Sequence, residues 1–469
     1  MLIITLALLA GCAVGPDYKR PPVETPRSWK ETQGWKPAVP QDTAIRGKWW
    51  EAFNDPALTS LEEQVIISNQ NIAQAEAQYR QALAAVDVAR AGFYPAATIG
   101  ATVIRSRSSA TLGRTSFSSG NTFTDYRLPA NLTWELDVWG RIRRQVEAGV
   151  ASAQASAADI AAIRLSSQAL LAQDYYQLRI LDAQKQVLDA TVAAYQKSLE
   201  IVKNRYAAGV ASRGDVLQAD TQLKTTQAQA IDAGVQRAQM EHAIAVLCGR
   251  PAPAFSIAAA PAQITPPPIP AGLPSELLER RPDIAAAERA MASANAQIGV
   301  AVAGWFPTIT LNASGGFEST ALSDWFKWPS RFWSLGPSIT ETVFNGWLTR
   351  YQTAQARAAY EASIASYRQT VLAAFQDVED NLAALRILEQ EAAAQDEAIK
   401  AAWISVEVAM NQYKAGTYSY LNVITAQAAA LNNQLTGLNI LNRRMAASVL
   451  LIRALGGGWD RSADERAGK

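Results

Sequence analysis

Residues 178–181 read Leu-Arg-Ile-Leu, and the same four residues return at 385–388, which is 207 positions later. A second pair keeps this spacing, since Tyr206-Ala207-Ala208-Gly209 corresponds to Tyr413-Lys414-Ala415-Gly416. The aromatic-proline motif Phe93-Tyr94-Pro95 corresponds to Trp305-Phe306-Pro307 at a spacing of 212. Ordered matches at nearly one spacing are the sequence signature of a repeated unit. The chain is therefore predicted to be an internal duplication.

Two long stretches of the chain lack helix-breaking residues. The 69 residues between Gly346 and Gly416 contain neither glycine nor proline, and from Arg141 to Ala208 only Gly149 interrupts. Both stretches are rich in residues that favour helix. At a rise of 1.5 Å per residue, each helix would be roughly 100 Å long. Uncapped runs of this length indicate coiled-coil packing.

A short turn and a second helix follow each long helix. Gly209 and Gly416 are predicted to end the long helices, and Ser212 and Ser419 are candidate N-caps of the helices that follow. The pattern predicts two long antiparallel helical hairpins, with tips at 209–214 and 416–420.

After each aromatic-proline motif the hydrophobic period changes from helical to alternating. From Leu128 to Val138, apolar residues at even positions alternate with mostly polar residues at odd positions. Alternation over about ten residues fits a tilted transmembrane strand. The predicted strands are 96–107, 126–138, 307–317 and 333–344. The alternative interpretation is an ordinary soluble sheet.

Four strands cannot close a barrel, and open strand edges are not tolerated in lipid. Several chains must therefore share one barrel if these strands cross a membrane. Two chains would give eight strands and an interior filled by side chains, whereas three would give twelve strands and leave a lumen.

The N-terminus resembles an export signal. Met1 to Ala10 is apolar except for Thr5, and the run ends in Leu9-Ala10-Gly11-Cys12, which resembles a bacterial lipobox. No lysine or arginine precedes the run. We predict a signal peptide at 1–11, a covalent lipid on Cys12 and an extended lipidated segment at 12–53. The alternative is a buried N-terminal strand with an incidental cysteine.

The composition argues against several other functions. The formal net charge is +1, which gives no sign of a nucleic-acid groove. One histidine and two cysteines exclude a His/Cys metal cluster. The sequence contains no nucleophile elbow, P-loop or dinucleotide fingerprint. We therefore predict a protein that is not an enzyme, with no metal site and no cofactor beyond the lipid on Cys12.

A proline-rich segment, 251–282, separates the two copies and is expected to be extended. It ends in Arg280-Arg281-Pro282-Asp283. With Trp49-Trp50, Phe53, Asp55 and the two aromatic-proline motifs, this string resembles the outer-membrane factor family of tripartite efflux pumps. The lipobox makes the chain similar to the NodT-type lipoprotein branch, which works with pumps of the resistance-nodulation-division (RND) class.

The resemblance implies an α+β membrane protein that forms a homotrimer in the bacterial outer membrane. Three chains would share a twelve-stranded β-barrel, their hairpins would form an α-barrel through the periplasm, and the linker would lie in an equatorial region around it. The trimer would passively conduct substrates from an inner-membrane RND-type pump, through a periplasmic adaptor, to the exterior.

The resemblance also places functional residues on the hairpin tips. The second hairpin would narrow the periplasmic aperture at Tyr413, Asn422 and Thr425. Several family members carry aspartates at the positions of Asn422 and Thr425, so this chain is predicted to show weak block by multivalent cations. The predicted adaptor contacts are Arg205, Gly209, Val210, Gly416 and Thr417. The two glycines would also serve simply as helix caps.

The predicted organisation is a first repeat at 54–250, the linker at 251–282, a second repeat at 283–458 and a flexible tail at 459–469. An alternative function is a lipid-anchored periplasmic coiled-coil scaffold or adaptor, which would use the same hairpins and anchor. The alternating strands favour the channel, because a scaffold needs no lipid-facing alternation.

Overall fold

The computed structural model describes residues 13–32, 47–107, 109, 122–260, 264–267, 269 and 280–457. The predicted signal peptide, Cys12, the tail at 459–469 and much of the linker lie outside these residues. The helices are α1 Pro56–Ser68, α2 Gln70–Ala91, α3 Arg141–Ala207, α4 Arg213–Leu247, α5 Pro282–Ala303, α6 Leu348–Lys414 and α7 Tyr420–Ala454.

The two long helices form where the sequence predicts them. α3 and α6 each contain 67 residues, and α4 and α7, which follow them, each contain 35. Gly209 and Gly416 adopt φ values of +73° and +81°, which a side chain would strain, and this explains why glycine ends each helix. Among the helices described, none has a stretch both long and apolar enough to span a bilayer.

The strands form one antiparallel sheet. Its strands are β1 Ala96–Ile99, β2 Thr102–Arg107, β3 Thr122–Glu135, β4 Thr308–Ser319 and β5 Arg331–Thr340. β1 and β2 both pair with β3, which pairs with β4, and β4 pairs with β5. At one end of the sheet the strands connect to helices, and at the other end β2 connects to β3 and β4 connects to β5. We call the end near Glu135 and Thr308 the helix end, and the end near Arg107 and Ser319 the loop end.

The strand bounds differ from the prediction in all four strands. The predicted strand 307–317 runs from Thr308 to Ser319. The predicted strand 96–107 is divided at Gly100 into β1 and β2, although both keep one continuous register with β3. The predicted strand 126–138 begins earlier and ends at Glu135. Leu136 N still donates to Ile309 O at 2.9 Å. The chain then leaves the ladder because the Asp137 carboxylate accepts hydrogen bonds from the first backbone N–H groups of α3, at 2.8 and 3.0 Å. The predicted strand 333–344 runs instead from Arg331 to Thr340.

The register separates two faces of the sheet. The apolar face carries Ile99, Leu132, Ala313 and Leu335, and its large side chains are open, with Trp333 82% exposed. On the polar face, one row runs across β1, β3, β4 and β5 and consists of Thr98, Asn131, Ser314 and Ser334. In this row Ser314 Oγ donates to Asn131 Oδ1 at 2.8 Å. The predicted alternation is therefore present in the folded sheet.

The described chain folds into two compact units. The first takes described residues from 1–22, 78–156 and 286–367, and it contains the sheet. The second takes described residues from 23–77, 157–285 and 368–469, and it contains both helical turns. Each unit thus draws on both predicted repeats.

Apart from the two aromatic-proline motifs, the residues that carry the family resemblance lie where elements of the second unit meet. The Asp55 carboxylate caps α1 by accepting from Ala57 N at 2.9 Å, and it also accepts from Tyr175 Oη at 2.8 Å. Trp49 and Trp50 are buried. Arg281 donates to Asp283 at 2.6 Å and to Asp377 at 3.1 Å, which joins the start of α5 to α6. These residues therefore stabilise the fold.

Candidate functional site: the paired helical turns

The candidate site is formed by the two turns that connect the long helices. The first turn, 208–212, joins α3 to α4, and the second turn, 415–419, joins α6 to α7. In each turn the positive φ of the glycine lets the following N–H groups return to the helix. Val210 N donates to Arg205 O at 2.9 Å, and Thr417 N donates to Gln412 O at 3.1 Å.

The two turns differ in how the next helix begins. Ser212 and Asp215 form a capping box, with Ser212 Oγ accepting from Asp215 N at 3.1 Å and Asp215 Oδ2 accepting from Ser212 N at 3.0 Å. Ser419 occupies the N-cap position of α7, but its side chain accepts no hydrogen bond from the backbone. Asn422 instead donates to Ser419 Oγ at 3.4 Å. The predicted N-cap is therefore complete only at Ser212, because an amide replaces the carboxylate in the second turn.

A shared hydrophobic core lies beneath both turns. We call Tyr195, Tyr413 and Tyr420 the tyrosine cluster, and each is at most 4% exposed. The rings of Tyr413 and Tyr420 have centroids 5.1 Å apart. The aliphatic members of the same core are Leu199, Val202, Ala219, Leu223, Ala409 and Val423. Since these residues come from α3, α4, α6 and α7, the core joins the two hairpins.

Arg205 makes a polar link between the hairpins close to the turns. Its guanidinium carbon lies 4.8 Å from the centroid of the Tyr413 ring, and its Nη1 donates to Lys414 O at 3.0 Å. The acceptor belongs to the last residue of α6, where helix carbonyls lack intrahelical partners. A cation at this end also interacts favourably with the helix dipole. The end of α3 therefore holds the end of α6.

Burial fixes the protonation state of the tyrosine cluster. It raises the pKa of Tyr420 to about 12, and it raises the pKa of Tyr413 and Tyr195 above the ordinary value. The three hydroxyls therefore stay neutral at physiological pH, and the arginine meets a neutral ring rather than a phenolate.

Comparison with known proteins identifies the family. A family model described as "Outer membrane efflux protein" matches residues 61–250 and 273–457. The chain belongs to this family.

Two relatives show how far the similarity extends. The chain is 29% identical over 463 residues to the probable efflux pump outer membrane protein TtgC of Pseudomonas putida, which covers 98% of this chain and 95% of that protein. It is 30% identical over 462 residues to the pyoverdine export outer membrane protein OpmQ of Pseudomonas aeruginosa, covering 98% and 96%.

Solved structures of outer membrane channels have the same fold. The channel OprN matches with a TM-score of 0.87 and 30% identity over 96% of this chain and all of that chain. The open state of the Neisseria gonorrhoeae MtrE channel matches with a TM-score of 0.80 and 28% identity, covering 96% and 99%. These findings support the predicted outer membrane efflux function and not the periplasmic scaffold. The family consists of efflux proteins rather than enzymes.

Within this efflux protein, the predicted aperture residues occupy two environments. Asn422 and Thr425 are exposed and lie three positions apart, on one face of α7. Tyr413 is buried in the tyrosine cluster. The structure therefore brings Asn422 and Thr425 together and places Tyr413 at the joint between hairpins.

The predicted adaptor contacts lie on or beside the turns. Gly209, Val210, Gly416 and Thr417 are exposed, whereas Arg205 is half-buried. Further large side chains are open around them and were not among the predicted contacts: Tyr206, Leu217, Tyr418 and Leu421. Tyr206 could have been identified from the repeat, because it is the first residue of the matched string Tyr206-Ala207-Ala208-Gly209 and is adjacent to the predicted contact Arg205.

The predicted lipidation site, Cys12, lies outside the described residues, but the residues that follow it are hydrogen-bonded to the rest of the chain. Val14 N donates to Trp139 O at 3.0 Å, and Arg144 donates to Val14 O at 3.2 Å and to Asp17 Oδ1 at 2.8 Å. The start of the described chain is thereby attached between the end of β3 and the start of α3, at the helix end of the sheet.

Proposed function

We propose that this outer membrane efflux protein works as a trimeric channel of a tripartite pump. The observation that carries the proposal is a sheet with an exposed apolar face and two unpaired edges. The outer edges of β1/β2 and of β5 form no ladder with another strand of the described chain. A lipid-facing sheet must close on itself. If β1 and β2 count as one strand, three copies supply twelve strands, and the Thr, Ser and Asn side chains of the polar face would line the lumen.

The internal duplication is part of this proposal, and three observations support it. α2 and α5 each have 22 residues and are 212 positions apart, whereas α3 and α6, like α4 and α7, are 207 apart. The same close backbone contact occurs in both copies. A Cβ at Gly249 would lie 2.1 Å from Ser68 O, and a Cβ at the corresponding Gly456 would lie 2.1 Å from Arg280 O, the residue that corresponds to Ser68. Six similar units in a trimer would surround one axis.

The lipid anchor on Cys12 fits this arrangement. The neighbouring residues are held at the helix end of the sheet, where the membrane-spanning strands meet the helices. An acyl chain on residue 12 would therefore enter the leaflet that faces the periplasm, beside the barrel wall. The anchor would add to the apolar contact that the sheet already makes with lipid.

We propose that the two turns lie in the periplasm. Their exposed glycines and apolar side chains would meet a periplasmic adaptor, and Asn422 and Thr425 of three copies would line the aperture. The energy and the choice of substrate would come from the inner-membrane RND-type pump. The names of the relatives, which include toluene and pyoverdine export, describe those proteins and differ among themselves.

Conductance and oligomeric state test the proposal together. Full-length protein, purified in detergent, should migrate as a trimer that dissociates on heating, and it should give discrete conductance steps in planar lipid bilayers. A non-conducting protein that alkaline carbonate releases from membranes would contradict the proposal and favour a scaffold. A Cys12→Ser variant serves as the anchor control, because it should lose the lipid mass while retaining the trimer and its conductance.

A further inference from the structure

The charges on the two faces of the sheet are distributed unequally. The polar face carries both signs, with Arg127 paired to Glu318 at 3.5 Å and Glu135 paired to Arg141 at 2.6 Å. On the apolar face the register places only cations, and all of them lie at the loop end: Arg105 and Arg107 on β2, and Arg331 on β5. All three are exposed, and none pairs with an acidic side chain among the described residues.

A hollow on the apolar face lies next to this arginine rim. Small residues at Ala130, Ala313 and Gly315 leave a groove of about 580 Å³ between Ile99 on one side and Trp333 on the other. Arg331 precedes Trp333 by two residues on the same face, so its backbone lies about 7 Å further toward the loop end. The groove is apolar and open, as an acyl chain requires, and a cation stands at its outer end.

Arg331 is held in place by its own loop. Its guanidinium lies over the Trp328 ring, and its Nε donates to Trp328 O at 3.2 Å. The remaining guanidinium N–H groups are free of any hydrogen bond among the described residues. Such a group presents two parallel donors to a phosphate, which is the geometry that arginine provides and lysine does not.

Closure of the sheet would complete the site. If β5 of one chain pairs with β1/β2 of the next, as the proposed function requires, then Arg331 lies on the strand beside Arg105 and Arg107 of the neighbouring copy. Three cations would then face the lipid at each of three seams. Because the helices lead toward the periplasm, the loop end reaches the outer leaflet.

We propose that each seam binds a phosphate-bearing glycolipid of the outer leaflet, lipid A, with a phosphate on Arg331 and an acyl chain in the groove over Ala130 and Gly315. Arg105 and Arg107 of the neighbouring chain neutralise further phosphate charge. The absence of acidic side chains from the apolar face of the described strands favours this lipid over a zwitterionic one. The inference rests on the proposed channel, because it uses the closed barrel and its orientation.

Native mass spectrometry of the delipidated full-length trimer, titrated with purified lipid A, tests the proposal. Wild type should bind up to three molecules, and lipid A stripped of its phosphates should bind about tenfold more weakly, because charge-assisted contacts are lost. Arg331→Gln should weaken binding of phosphorylated lipid A by a similar factor. Ala130→Phe, which fills the groove, should weaken both lipids alike.

Arg127→Gln is the matched control, because Arg127 lies at the same end of the sheet but on the polar face. It should leave lipid A binding unchanged. Equal binding of phosphorylated and stripped lipid by wild type would overturn the proposal, and so would preferential retention of phosphatidylglycerol. The same preparations are tested in planar bilayers. A protein that conducts but binds lipid A without regard to its phosphates refutes the lipid site alone. A wild-type protein that forms no trimer and does not conduct refutes the proposed channel.

Discussion

Replacing Arg205 with methionine tests whether its link between the hairpins holds the proposed periplasmic end of the channel together. Methionine keeps the apolar stem but removes both contacts of the guanidinium, with the Tyr413 ring and with Lys414 O. The ring contact contributes about 0.5 kcal/mol at a half-exposed site. A hydrogen bond from a charged donor contributes about 1.5 kcal/mol. The total of about 2 kcal/mol per chain corresponds to roughly thirtyfold in an equilibrium between joined and separated hairpins.

Single-channel recording in planar bilayers measures this shift. If opening separates the hairpins, Arg205→Met should raise the mean conductance and the time spent in large open levels. Arg213→Met is the matched control, since Arg213 lies at the same tip, is exposed and forms no ion pair among the described residues. If Arg205→Met conducts as wild type and as Arg213→Met do, opening does not break this link and the reasoning is refuted.

Three further predictions follow from particular side chains. Asn422→Asp should introduce block by divalent cations, because three carboxylates would converge on the aperture; bilayer conductance with added divalent salt measures it, and equal block in wild type would contradict it. Burial raises the pKa of the Glu62 carboxyl well above its usual range. Since the unfolded value is about 4.3, stability should fall as pH rises from there to the folded-state pKa, and Glu62→Gln should abolish that fall in denaturant titrations at about pH 5 and about pH 8. Asn69→Ala should cost about 2 kcal/mol in the same titrations, because the Asn69 side chain accepts from Asn71 N and Ile72 N and donates to Leu247 O. Replacement of exposed Asn71 by alanine should cost much less.

The long helices could be predicted because local signals determine them. The 67 residues of α6 contain neither glycine nor proline, and Gly416 ends the helix with a positive φ. The alternation of the strands was equally visible, because side chains on successive residues point to opposite faces. The ends of the strands were not. β3 stops at Glu135 because the Asp137 carboxylate caps α3. The alternation of apolar and polar residues continues to Val138 and therefore does not show where the strand gives way to the helix cap.

The break between α1 and α2 shows the same limit. The sequence offers no glycine or proline to divide a helix between Ala57 and Ala91. Asn69 instead adopts an extended conformation, caps α2 and reaches the end of α4, 178 positions away. The tyrosine cluster likewise depends on contacts between two hairpins, so the pattern of either hairpin alone does not reveal that Tyr413 is buried. What the sequence could not supply in each case was a long-range partner.

The unequal caps give the second turn a reason to be the moving part. The capping box of Ser212 and Asp215 satisfies N–H groups at the start of α4, which stabilises that helix end by about 1 kcal/mol. The Ser419 side chain accepts no backbone N–H, because the residue three positions on is Asn422, whose side-chain amide donates to the serine hydroxyl instead. The start of α7 should therefore unwind more readily, and its first amides should exchange hydrogen about fivefold faster than those of α4. Asn422→Asp would restore the box and should slow that exchange. Equal exchange at the two helix starts in wild type would show that the caps do not distinguish the hairpins, and the gate would then have to be sought in the contacts of Arg205.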